Sequence, residues 1–104
     1  MSDLFSKAFA AYHRAIDLLR FRKRAYEMTF KNAGGEAVLA DLGKFCRGRE
    51  TTFHPDARVQ AMLEGRRQVL LRIEQHLSYS SEELAILYKA PPMPQTITGD
   101  DDGE

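Results

Sequence analysis

The feature that most constrains this chain is its opening stretch. From about Asp3 to Lys31, Leu4, Phe5, Ala8, Phe9, Tyr12, Ile16, Leu19, Lys23 and Tyr26 step mostly by three and four. That is the period of an α-helix. Ser2 or Asp3 can cap its start. The "NAGG" run, Asn32 to Gly35, stops it, because Asn and Gly accept the left-handed conformation at a helix end. A helix this long and this apolar is not fully covered by short partners. Leu18, Phe21 and Phe30 lie off its main stripe, so a second apolar surface is expected.

Three shorter helices follow. Helix 2 is predicted from about Gly35 to Cys46, with Val38, Leu39, Leu42, Phe45 and Cys46 as its apolar stripe. "RGRETTFHP", Arg47 to Pro55, reads as a loop. Helix 3 is predicted from Pro55 or Asp56 to Leu77, turning Val59, Met62, Leu63, Val69, Leu70, Ile73 and Leu77 inward. Helix 4 is expected over about Ser81 to Lys89. Ser80 or Ser81 would cap it, and Glu82 and Glu83 sit in the first turn, where the helix dipole favours negative charge. From "PPMPQ", Pro91 to Gln95, the chain should be extended and then disordered. The fold class is therefore all-α: a small bundle of three to four helices over residues 1–90, with a Pro-containing acidic tail over 91–104.

Bulk properties remove several function classes. No apolar run approaches the roughly 20 residues of a membrane helix, and no signal peptide is expected. A single cysteine, Cys46, excludes an internal disulfide and fits a reducing compartment. Lys plus Arg and Asp plus Glu both number 15, yet four acids fall in the terminal "DDDGE", leaving the body at +4. A basic body suits an acidic partner, nucleic acid included.

The candidate chemical motifs reduce mostly to structure. In "HPD", His54 to Asp56, Pro is pre-set for the first helical position and Asp favours the dipole, with His54 standing where a cap would sit. The tripeptide also resembles that of J-domain cochaperones, but over three residues only, and Ala57 stands where that family usually has Lys. Cys46, His54 and Asp56 supply the residue types of a thiol nucleophile, yet Cys46 lies on an apolar stripe. Cys46, His13, His54 and His76 share no ligand spacing. No catalytic residue, metal or cofactor is expected.

Two charged stretches are the candidate interaction sites. "RFRKR" contributes Arg20, Arg22, Lys23 and Arg24; with Arg14 it puts positive charge all round the second half of helix 1, and Lys44, Arg47 and Arg49 could join it on phosphates. "EGRRQVLLRI" contributes Glu64, Gly65, Arg66 and Arg67. A mid-helix Gly costs about 1 kcal/mol against Ala, so Gly65 is expected to admit a close helix crossing. At least one of Arg66 and Arg67 should flank that interface and pair with Glu64 or an acid on helix 1 or 2.

Taken together, "AYEMTFKNAGGEAVLADLGKFC" and "TTFHPDARVQAMLEGRRQVLLRIEQHL" resemble the Bbp19-like phage domain, a short helical module of tailed bacteriophages and prophages. The likeness covers about residues 25–77 and is carried by "LADL…FC" followed at this distance by "EGRR". In that family the loop usually reads Asp-Pro; here the order is Pro-Asp and His54 is extra. The resemblance implies a non-enzymatic phage product, encoded among virion and morphogenesis genes. Its expected partners are other phage structural proteins, itself as a homo-oligomer, or both, in the virion or the host cytoplasm during assembly. A small regulator contacting host machinery or DNA is the alternative from another class, and the J-domain cochaperone a third.

Overall fold

The computed structural model describes residues 3–47 and 53–95, with Arg47 placed by its backbone. Four helices account for its regular structure: α1 over Asp3–Phe30, α2 over Ala33–Arg47, α3 over Ala57–Ser78 and α4 over Ser81–Leu87. No strand occurs among the described residues. The all-α bundle is the observed fold.

The α1–α2 junction is tighter than a left-handed stop. Asn32 serves both helices: its side-chain nitrogen donates to the Met28 and Thr29 carbonyls, while its Oδ1 accepts from the Gly35 N–H at 2.8 Å. The first satisfies orphan acceptors of α1, the second an orphan donor of α2. Contrary to expectation, Asn32 has no positive φ, and α2 begins at Ala33 with both glycines inside its first turn. Gly35 is required by space rather than by dihedral. A Cβ there would lie 2.4 Å from the Phe30 Cα and 2.4 Å from the Thr29 carbonyl oxygen.

"HPD" is indeed a helix start, with its roles shifted by two positions. Asp56 is itself the cap, its Oδ1 accepting from the Arg58 N–H at 2.9 Å. His54 Nδ1 accepts from the Asp56 N–H at 3.0 Å, and Pro55 stands just outside the helix rather than at its first turn. At α4 the capping box forms as the sequence suggests: Ser80 Oγ accepts from the Glu83 N–H at 3.0 Å, and the Glu83 carboxylate accepts from the Ser80 N–H at 2.9 Å. α4 stops two residues early because Lys89 turns left-handed, at φ 56°. Its N–H bonds to the Ile86 carbonyl and the Ala90 N–H to the Ala85 carbonyl, a Schellman ending with Lys where Gly is usual. Pro91, which disfavours helical backbone at Ala90, completes the stop. Pro91–Gln95 is irregular backbone; the acidic remainder of the tail lies outside the described residues.

α1 is the common support. α2, α3 and α4 all pack on it, and α2 also packs along α3. The core is small. Ile16 and Leu19 of α1 meet Leu84 and Ala85 of α4, with Tyr12, Tyr88 and Ala90 at the margin. Leu70, Ile73 and Cys46 are also buried. Several residues expected inside are not: Leu4, Phe9, Val38, Phe45, Met62 and Val69 are exposed. The apolar arcs of α1, α2 and α3 are wider than a bundle of four unequal helices can cover. α4, at seven residues, shields only about two turns of α1.

Candidate functional site

The deepest polar group among the described residues is His76, with 0% of its surface exposed. It follows Leu70 and Ile73 at three-residue steps along the inner face of α3, so helical register carries it into the core. Both ring nitrogens are engaged. Nδ1 lies 2.8 Å from the Arg72 carbonyl oxygen and Nε2 accepts from Arg22 Nε at 3.1 Å. A carbonyl only accepts and a guanidinium only donates, so the proton is assigned to Nδ1 and the ring is neutral. Burial pushes its pKa down, the Arg72 carbonyl partly offsets this, and the Arg22, Arg72 and Lys23 charges push it down further.

The ring lies between two phenols. Tyr26 of α1 stacks on it at 4.3 Å between centroids and Tyr88, at the end of α4, at 5.6 Å. Arg22 and Arg72 both lie over the Tyr88 ring, at 5.5 and 5.1 Å, where a cation meets the negative face of the π-system. The Tyr88 hydroxyl donates to Gln75 Oε1 at 2.8 Å. Lys23 Nζ donates to the His76 carbonyl at 3.1 Å and pairs with Glu27 at 3.2 Å. Three helices thus close around one imidazole.

This junction redistributes the "RFRKR" cluster. Arg22 and Lys23 turn inward, so positive charge does not surround α1. Arg20 pairs with Asp17 at 3.1 Å and approaches Glu82 at 3.9 Å. Arg24 points outward, in a shallow groove it shares with Phe21, Ala25, Met28 and Thr29. The Arg47 side chain and Arg49 lie outside the described residues. Lys23 could be placed from sequence because it falls on the apolar stripe of helix 1. Arg22 was legible as part of a basic run but not as the partner of His76, and His76 and Tyr88 were missed; the available signal was the register of His76 with Leu70 and Ile73.

In "EGRR" the pairing expectation holds and the packing expectation does not. Arg67 meets Glu64 through two hydrogen bonds, of 3.2 and 3.0 Å, which raise its pKa. Arg66 lies 4.3 Å over the Phe45 ring and so flanks the α2–α3 contact. Gly65 admits no helix: it is exposed, and a Cβ there would meet nothing within 4 Å. The crossing passes elsewhere because Gly65 lies on the solvent side of α3.

The outward face of α1 is an exposed apolar feature. Leu18, Phe21, Ala25 and Met28 recur at helical spacing on the side opposite the buried Ile16 and Leu19. Leu18 is 63% exposed, Phe21 72% and Met28 73%. Lys7, Arg14 and Arg24 share this side and have no ion-pair partner among the described residues.

The family model for Bbp19-like phage proteins matches residues 26–89, more than half of the chain. The chain belongs to the Bbp19-like phage protein family. No curated protein and no solved structure matches it. The matched segment begins at Tyr26 and ends at Lys89, so it contains His76 and the two tyrosines stacked on it, while Arg22 and Lys23 precede it. The exposed residues Leu18 and Phe21 precede it. No described helix of this Bbp19-like protein is long and apolar enough to cross a membrane, and no group of three His, Cys, Asp or Glu among the described residues could hold a metal ion.

Proposed function

We propose that this Bbp19-like protein is a virion component or assembly factor, working without catalysis through helix-mediated contacts made by the outer face of α1. The observation that carries the reading is the Leu18, Phe21 and Met28 stripe, exposed on the side of α1 opposite the core. Each of these side chains gains about 1.5–3 kcal/mol when fully buried. A contiguous stripe of them on a small domain marks an interface. Nothing about His76 favours chemistry: both nitrogens are committed and the ring is closed to solvent.

The occupant is a second copy of the chain or another phage protein, and native mass separates the two. Light scattering in low salt and in 0.5 M salt, where screening cuts the reach of surface charges to about 4 Å, should give an oligomer that persists in salt and collapses to monomer in Phe21→Glu if the stripe pairs with itself. A monomer at both salts assigns the stripe to another phage protein, which virion mass spectrometry and crosslinking at Phe21 would identify. A chain that is monomeric and absent from purified virions ends the reading.

One observation favours a second reading, a regulator that contacts nucleic acid: Lys7, Arg14 and Arg24 stand on that face without ion-pair partners among the described residues. Duplex-DNA affinity would then fall steeply with salt, by about one power of salt concentration for each phosphate neutralised. Flat or absent binding removes it.

A further inference from the structure

We infer that His76 is an acid-sensitive latch: protonation of its ring releases the C-terminal end of α4 at Tyr88, and the Pro91–Gln95 segment after it, from α1 and α3.

The inference stands on the geometry of the junction and is independent of the proposed interface. α4 is a helix of seven residues, too short to hold helical form without packing. Its C-terminal end is fixed by Tyr88, and Tyr88 rests on His76, Arg22 and Arg72 together. The arrangement tolerates only a neutral imidazole. A proton added at Nε2 would meet the Arg22 N–H donor head-on at 3.1 Å. It would also place a full charge on a ring with no exposed surface, close to the Arg22 and Arg72 guanidinium groups.

The groups facing the ring leave the new charge uncompensated. From α1 these are Arg22, Lys23 and Tyr26; from α3, Arg72 and Gln75; from α4, Tyr88. The nearby carboxylate, Glu27, is already paired with Lys23 at 3.2 Å. Relief requires either the imidazole or Arg22 to leave for water. The imidazole cannot leave without parting from Tyr88, and Arg22 cannot leave without uncovering its ring. Both routes unseat the end of α4. α2 touches none of these groups in the contacts described, so it keeps its packing on α3.

The test is backbone amide hydrogen exchange of the full chain by NMR at pH 7.5 and 5.5, corrected for intrinsic rates, with the His76 ring proton followed through the same titration. Protection at Tyr88 and Ala90, which bond to the Leu84 and Ala85 carbonyls, should fall by up to about tenfold, the limit for one ordinary histidine between these pH values. Protection in α2 and mid-α3 should change less than threefold. The loss at α4 should track the His76 titration and vanish in His76→Gln. Equal loss in all helices, no loss at α4, or α4 loss that does not begin near the ordinary histidine value and level off through the His76 titration would each overturn the latch. The last comparison uses the native chain alone, so it decides the matter even if the Gln variant does not fold.

Discussion

Arg22 and His76 are 54 positions apart in sequence, yet the guanidinium Nε of one donates to the imidazole Nε2 of the other at 3.1 Å. This bond ties the middle of α1 to the last turn of α3 and fixes the tautomer of a fully buried ring. Arg22→Met removes the donor and leaves Nε2 without a partner away from water. The expected loss is about 1–3 kcal/mol, read as a lower urea midpoint at unchanged slope.

Stability should depend on pH through His76. Its pKa is lowered by folding, so the unfolded chain takes up the proton first as pH falls. The contribution is complete above the ordinary histidine value of about 6.5. It is lost as pH drops from there through the lowered native value. Urea midpoints at pH 7.5 and 5.5 should therefore differ more in the native chain than in His76→Gln. An equal difference in both would assign the acid sensitivity to other groups.

Two glycines in helices should respond in opposite directions to the same substitution. Gly35→Ala forces a methyl to within 2.4 Å of the Phe30 and Thr29 backbone, and overpacking against rigid backbone costs about 3 kcal/mol. Gly65→Ala meets nothing within 4 Å and should gain about 1 kcal/mol from helix propensity. Thermal melts of the two variants check both signs.

Lys89 holds a left-handed backbone, φ 56°, at the end of α4. An L residue there costs about 1–2 kcal/mol, which Gly avoids. Lys89→Gly should raise the melting temperature by a few degrees, on the order of 1 kcal/mol for a domain of this size. Ser80→Ala at the other end should lower stability by about 1 kcal/mol, since the capping box loses one of its two bonds.

Phe21→Glu should leave the fold in place. Phe21 is 72% exposed, and a surface change away from caps and core stays within about 0.5 kcal/mol. A circular-dichroism melt close to that of the native chain, beside a changed native mass or lost partner capture, separates an interface residue from a structural one.

The sequence by itself determined what depends on near neighbours. The order of four helices, the Ser80–Glu83 box, the start at Asp56 and the stop around Asn32 all rest on hydrogen bonds between residues within four positions of one another. Such bonds form wherever the local residues permit them. Tertiary structure decided what depends on who stands opposite. The periodicity of α1 already separates Ile16 and Leu19 from Leu18 and Phe21, but only packing decided that Leu4 and Phe9, on the same stripe as Ile16 and Leu19, stay outside the core. "RFRKR" reads as a solvated basic run until Tyr26, Tyr88 and His76 draw Arg22 and Lys23 inward. Gly35 and Gly65 look alike as residues. One has another helix's backbone against it and the other has open space. Burial belongs to a pair of surfaces, and a sequence read locally supplies only one of them.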